Sequence, residues 1–359
     1  MKFVIATGGS GGHFFPALYL AQELQKQGHG VYFAGALANV QERMKATGFP
    51  YWNVNAKGFN KKSLKSILEF PVYMLQSILA SRKILGEIKP DVVCGFGGYG
   101  SFPVIFSAAF FKKCPTMIHE QNVVPGRANR VLFPFVDKVA VSFDPSHGNF
   151  FPSHKAVLTG CPCHPLKKLN RDEALRSFGL DTNKKTILVL GGSQGSHAVN
   201  EKFMEAIPLL KNNLDVQIIH LSGKKDFWGL QEKYQRLNIP FRLFQFFDEM
   251  ARAYQAADLV ISRSGAVTVS ELAQFALPAI LIPYPHAGAH QKYNAMVLAE
   301  AGTARVIEEK NVTAASLAQM ISEILRNPPN QLEVKKRLEA IIFPDAAVRL
   351  AREAVALKK

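Results

Sequence analysis

Three glycine-rich segments, Gly8 to His13 (GGSGGH), Gly97 to Ser101 (GGYGS) and Gly191 to Ser196 (GGSQGS), each follow a short apolar run. Glycine lets backbone N–H groups approach an anion, and a helix that opens just beyond adds unpaired N–H groups and a partial positive charge. Each segment can therefore cradle a phosphate or simply make a tight turn; three in one chain favour phosphate. The usual nucleotide fingerprints are missing. GGSGGH is not G-x-G-x-x-G, the second strand ends in YFAGALA with no carboxylate for a ribose, and no G-x-x-x-x-G-K-[ST] occurs. The expected ligand is phosphorylated and is held in neither the dinucleotide nor the P-loop manner.

A denser constellation runs from Ser262 to Ala295, SRSGAVTVSELAQFALPAILIPYPHAGAHQKYNA. The strand DLVIS ends in Ser-Arg-Ser-Gly and a helix opens on AVTVSELAQF. Thr268 and Glu271 have capping-box spacing, so Glu271 either caps the helix or accepts hydrogen bonds from both hydroxyls of a ribose while helix-start N–H groups hold a diphosphate. Spacing alone leaves both readings open. His13, at the helix entrance after the first glycine loop, is the candidate catalytic base, because imidazole titrates near neutrality. Its alternative role is a polar helix-entry residue.

The elements that must position these residues alternate strand, loop and helix. KFVIA reads as a buried strand and PALYLAQELQKQ as an amphipathic helix with Ala17, Leu18, Leu20, Ala21 and Leu24 at helical spacing, Pro16 in its first turn and Gly28 as its stop. GVYFAG, DVVCGF, PTMIH and KVAVS supply further strands without clean alternation, as expected where both sheet faces are covered. After the loop-like HKAVLTGCPCHPLK a second series begins with KTILVLGGSQGS, VQIIHLSG, FRLFQFF, DLVISRSGA and PAILIPYP. The expected fold class is α/β, with two Rossmann-like parallel-sheet domains over residues 1–164 and 165–340. Residues 341–359 carry the amphipathic helix AAVRLAREAVAL, able to pack on either half, including back on the N-terminal domain.

Composition narrows the partners. The 359 residues are 48% hydrophobic, enough to bury two cores. Cys94, Cys114, Cys161 and Cys163 do not form a disulfide framework, CPCH is weak as a metal site, and a reducing cytosol is the simpler expectation. KFVIATGG reads as a first strand, not a signal peptide, and no run of apolar residues is long enough to span a bilayer. The formal charge of +15 favours an anionic partner: nucleic acid, anionic lipid or a phosphorylated substrate. Nucleic acid is disfavoured because the basic residues are not interleaved with an aromatic platform or recognition motif. Lys57 to Lys113 carry nine Lys/Arg and three Asp/Glu among SILEFPVYMLQSILA and FPVIFSAAFF, a stretch that suits helix packing and, in part, an anionic membrane surface.

GGSGGHFFPALYLAQEL, GFGGYGSFP, HEQNVVPGRANR, LGGSQGSHAVN and the Ser262 to Ala295 segment, in this order, resemble the MurG family, the bacterial cell-wall enzymes that add N-acetylglucosamine to lipid I. The resemblance implies a GT-B fold, two Rossmann-like domains with parallel sheets facing across a cleft. It implies UDP-N-acetylglucosamine as donor, lipid I as acceptor, no required metal or cofactor, and a peripheral place on the cytoplasmic face of the inner membrane. Ser10, Gly11, Gly12 and Asn122 would approach the donor sugar and diphosphate from the N-terminal side. Ser193, Phe247, the run Ala266, Val267, Thr268, Val269, Ser270 and Glu271, and the pair His290 and Gln291 would hold the donor, Phe247 through its backbone against uracil. One departure stands out: the family's G-N-P-apolar-R is GCPCH here, which puts His164 where an arginine would face the diphosphate. A neutral imidazole does not replace a guanidinium fork. Two rivals stay open, a GT-B transferase acting on diacylglycerol and a UDP-sugar-binding protein without transfer activity.

Overall fold

Short buried apolar runs alternating with amphipathic helices build two sheets in which every strand pair is parallel. The structure is a computed structural model and describes all residues except 57–63, 145–150, 152–153, 165–168, 193, 212–213, 286–289 and 359. The chain divides into one unit of Met1–Cys163 with Asp345–Lys359 and a second of His164–Pro344.

The first unit contains β1 (Lys2–Gly8), α1 (Gly11–Lys26), β2 (Gly30–Ala36), α2 (Gln41–Thr47), β3 (Tyr51–Asn53), α3 (Leu64–Ile88), β4 (Val92–Gly95), α4 (Gly98–Ser107), β5 (Thr116–Glu120), α5 (Arg127–Leu132), β6 (Lys138–Val141) and β7 (Ala156–Leu158). Its strand order is β3-β2-β1-β4-β5-β6-β7. Apolar clusters fill both faces, one around Phe3, Ile5, Leu20 and Phe33, the other around Val4, Val93, Ile105 and Ile118. This explains why the strands lack alternation.

The second unit contains α6 (Arg171–Ser177), β8 (Lys185–Leu190), α7 (His197–Lys211), β9 (Val216–Leu221), α8 (Phe227–Gln235), β10 (Phe241–Phe244), α9 (Met250–Ala256), β11 (Leu259–Ser262), α10 (Ala266–Gln274), β12 (Ala279–Leu281), α11 (His290–Glu300), β13 (Ala304–Val306), α12 (Ala314–Arg326) and α13 (Gln331–Leu338). Its order is β10-β9-β8-β11-β12-β13. The last helix, α14 (Ala346–Ala356), belongs to the first unit. It buries Leu350, Ala351 and Ala354 beside Leu20 and Leu24 of α1, and Glu353 pairs with Lys138 at 2.7 Å.

Three expectations need correction. Pro16 is not in a first turn, because α1 starts at Gly11 and takes in the end of the glycine run; the carbonyl Pro16 leaves without a helical partner is that of the exposed residue Gly12. Part of the loop-like HKAVLTGCPCHPLK is β7, a three-residue edge strand too short to show a period. The capping-box reading of Thr268 and Glu271 fails: α10 opens at Gly265, Thr268 is already inside the helix, and no side chain caps it.

Candidate functional site

Strand order reverses at one place in each sheet, between β1 and β4 in the first and between β8 and β11 in the second. Open parallel sheets bind ligands outside the carboxyl ends of the strands at such switch points. Pairing of Ala6 with Gly95 and of Leu190 with Ser262 sets the glycine segments there.

At the first switch point, the carbonyl of Ser10 accepts from the N–H groups of His13 and Phe14 at 3.0 and 2.9 Å, so α1 winds directly out of the glycine run. Ser10 makes no side-chain cap and the first turn has no acidic residue, which leaves the first N–H groups of α1 open to an anion. A Cβ on Gly12 would meet nothing within 4 Å, so no internal packing demands glycine there. Gly97 and Gly98 differ: both have positive φ, and a Cβ on Gly98 would come within 3.2 Å of the His13 ring. These two glycines bring α4 against the imidazole.

His13 is half-buried and its Nδ1 lies 3.1 Å from Oε1 of Gln121. Burial lowers its pKa, while the Glu120 charge, the Gln121 hydrogen bond and the Phe96 carbonyl oppose that shift. Glu120 is buried without a cationic partner among the described residues. Its carboxylate instead accepts from Asn122 N and Nδ2 at 2.9 and 3.1 Å, Gly126 N at 2.9 Å and Asn129 Nδ2 at 2.8 Å. Asn122 is thereby tied to the loop after β5 by its own motif. The motif HEQN marked this region, but the parts played by Glu120 and Gln121 depend on contacts that no spacing displays.

At the second switch point, Gly191 and Gly195 are fixed by packing: a Cβ would reach 2.2 Å from Ser196 N and from the Ser222 carbonyl, respectively. Ser193 lies outside the described residues. Arg263, nearly buried, ties the site together. Its Nε donates to Ser196 Oγ at 3.0 Å and Nη1 to the Ile282 carbonyl at 3.1 Å, it pairs with Glu309, and its guanidinium covers the Tyr284 ring. The fork spans the loops after β8 and β12 in a way lysine would not.

The first turn of α10, with Ala266, Val267 and Thr268, lacks a side-chain cap and an acidic residue, so its N–H groups are free of both. Val269 is buried, Ser270 half-buried, and Glu271 only 5% exposed. Burial pushes the Glu271 carboxyl up to about 7, against hydrogen bonds from the Tyr254 hydroxyl and the His164 N–H that favour the charged form. The Gln274 amide donates to the His164 carbonyl at 3.1 Å, so α10 grips the His164 backbone at both polar groups. Tyr254 carries no sequence signal toward Glu271.

His290 opens α11. Gln291 has its amide oxygen engaged by the N–H groups of Ser264 at 3.2 Å and Tyr284 at 2.9 Å,. The Phe247 ring packs on Phe244 and Phe178 at 4.9 and 5.3 Å between centroids. Among the described residues no group of three or more His, Cys, Asp or Glu is arranged to hold a metal ion.

The first unit also exposes apolar residues beside the Arg82 guanidinium. Val72, Leu75 and Leu79 form an exposed stripe on α3, at 58%, 58% and 53%. Phe106 stacks on Phe110, whose ring packs tilted against Phe135, and the Arg82 guanidinium lies over Phe111. No helix among the described residues is long and apolar enough to cross a membrane.

The glycosyltransferase family 28 N-terminal domain matches residues 3–141 and the family's C-terminal domain matches residues 186–350. The UDP-N-acetylglucosamine--N-acetylmuramyl-(pentapeptide) pyrophosphoryl-undecaprenol N-acetylglucosamine transferase of Syntrophotalea carbinolica is 37% identical over 360 residues, 98% of each chain. The enzyme of the same name from Halothermothrix orenii is 36% identical over 338 residues, 91% of each. The crystal structure of Acinetobacter baumannii MurG superposes with a TM-score of 0.74 at 27% identity, covering 99% of both chains. With identity of this level along nearly its whole length and both domains matched, the chain belongs to the MurG family of glycosyltransferase family 28 and has the GT-B fold.

Proposed function

We propose that this chain transfers N-acetylglucosamine from UDP-N-acetylglucosamine to the 4-hydroxyl of the N-acetylmuramyl-pentapeptide of lipid I, with inversion, forming lipid II for peptidoglycan. What carries the reading is the Glu271 site in a chain of this family: a buried carboxylate behind an uncapped helix start, matched to a ribose and a diphosphate. His13 takes the proton of the attacking hydroxyl, the new bond forms at the anomeric carbon, and the bond to UDP breaks. The imidazolium that results is stabilised by the Glu120 charge and the Gln121 oxygen. UDP leaves with its diphosphate charge spread over helix-start N–H groups, so the donor is the only small molecule required.

In this reading Ser10, Gly11, Gly12 and Asn122 serve the reacting end of the donor. Ser193, Phe247, Ala266 to Glu271, His290 and Gln291 hold its nucleotide and sugar. The face of Leu75, Leu79 and Phe111 with Arg82 rests on the anionic cytoplasmic leaflet where lipid I resides.

The test is transfer of labelled N-acetylglucosamine to a lipid I analogue, wild type beside His13→Ala. Wild-type turnover with a fall of about 10²-fold or more in the variant, and donor binding retained, is expected. Equal turnover removes His13 from its role. Donor binding without wild-type turnover favours a binding-only protein, and transfer to diacylglycerol instead favours the other acceptor.

A further inference from the structure

We propose that Gln121 is a positioning residue that holds the neutral His13 imidazole in its Nδ1–H tautomer, leaving the lone pair on Nε2 for the acceptor proton. The inference rests on the reading of His13 as the base. It follows from a chain of hydrogen bonds in which each donor is forced by its neighbour.

Gln121 is 2% exposed and follows directly on β5. Its amide nitrogen lies 3.2 Å from the Phe96 carbonyl, 3.2 Å from the His119 carbonyl and 3.1 Å from His119 Nδ1. Two of these partners are carbonyl oxygens, which only accept, so the NH2 group must face them. Rotating the amide would set its oxygen against both carbonyls in a buried site, where an unpaired polar group is costly. His119 agrees with this direction. Its Nε2 donates to the Gly160 carbonyl at 3.0 Å, so Nδ1 is left to accept from Gln121. Burial holds His119 down to about 4, so it stays neutral where the enzyme works.

With the amide so fixed, Gln121 Oε1 faces His13 Nδ1 at 3.1 Å. An amide oxygen cannot donate, and the proton of the neutral ring therefore sits on Nδ1. Nε2 points toward Gly98, whose missing Cβ would otherwise stand 3.3 Å away. Glycine at position 98 therefore adds no side chain over the basic nitrogen. When Nε2 gains a proton, Gln121 keeps its bond and the Glu120 charge and the Phe96 carbonyl favour the imidazolium; Glu120 and neutral His119 are the titratable groups acting on His13.

The tautomer is readable without turnover by long-range ¹H–¹⁵N correlation on the full-length protein labelled at histidine, with His13 assigned from its loss in His13→Ala. Above the titration of His13, wild type is expected to show a protonated Nδ1 and an unprotonated Nε2. Gln121→Met, similar in size and without the acceptor, is expected to shift His13 toward Nε2–H and to lower kcat about tenfold or more, within what a general base contributes. Its KM for UDP-N-acetylglucosamine should stay within about twofold, as for loss of an interaction made only in the transition state. The acid limb of its kcat/KM profile should move to lower pH, since the lost bond favours the protonated ring.

A wild-type His13 protonated on Nε2 overturns the proposal without any variant. So does a folded Gln121→Met that keeps both the Nδ1–H tautomer and its kcat. If His13→Ala retains turnover, the base reading fails while the tautomer result still stands, so the two failures are distinguishable.

Discussion

The Tyr254 hydroxyl donates to Glu271 Oε2 at 2.9 Å, joining α9 to α10 inside the second unit. This bond, with the His164 N–H, is what the protein offers a carboxylate that burial would rather keep neutral. A residue that its spacing casts as a helix cap is instead a buried acid whose carboxyl is pushed up to about 7.

Stability should register that conflict. The folded pKa of about 7 exceeds the ordinary value of 4.5, so Glu271's contribution is fully present below pH 4.5 and is lost as pH rises through 7. Ionising it in the folded state costs on the order of 3 kcal/mol. Glu271→Gln, which can still accept from Tyr254, should therefore raise the melting temperature at pH 8, leave it little changed at pH 4.5, and lose most donor affinity. An unchanged melting temperature at pH 8 would show that the carboxylate is better solvated than its burial implies.

Tyr254→Phe removes a hydrogen bond that favours the charged form, so the Glu271 pKa should rise further. UDP-N-acetylglucosamine binding, followed by calorimetry, should weaken about tenfold or more near neutrality, as about 1.5–3 kcal/mol for a hydrogen bond to a charged group implies. It should recover toward wild type at alkaline pH. Loss that does not vary with pH would assign Tyr254 to packing alone.

The exposed stripe on α3 predicts membrane behaviour. Wild type should float with anionic liposomes at low salt and less at high salt, each nearby Lys or Arg adding on the order of 1 kcal/mol. Leu75→Asp with Leu79→Asp should reduce flotation severalfold without lowering the melting temperature, since both side chains already face solvent. Wild type remaining wholly in the soluble fraction at both salt concentrations would remove the membrane from the reading.

His164→Arg should keep transfer activity and tighten donor binding. The His164 backbone is fixed by Glu271 and Gln274 through its N–H and carbonyl, and a side-chain change leaves these bonds in place. A guanidinium adds the bidentate cation that a diphosphate prefers. A dead but folded variant, assayed at saturating donor, would show that the surroundings of position 164 have been rebuilt around histidine.

Much of the fold is legible in the chain. Uninterrupted apolar runs such as FVIA and ILVL require a sheet covered on both faces, and the helical spacing of Leu20, Ala21 and Leu24 supplies one cover. The position of the glycine segments at strand ends is legible for the same local reason: it depends on the absence of a Cβ and on the apolar run just before. Boundaries were less legible. The short edge strand β7 has no period to read, and α1 begins within the glycine run because nothing there penalises helix except conformational entropy.

The sequence by itself determined the class of fold, the three glycine segments that follow its strands and, through ordered motifs, the family. Tertiary structure alone decided which way protons and charges lie within the site. Tyr254 reaches Glu271, Arg263 reaches Ser196, and Gln121 reaches both His119 and His13 only when separate strands and helices pack. The physical reason is that hydrogen-bond direction and desolvation depend on every neighbour within a few ångströms, while spacing along a chain specifies only those within a turn or a strand.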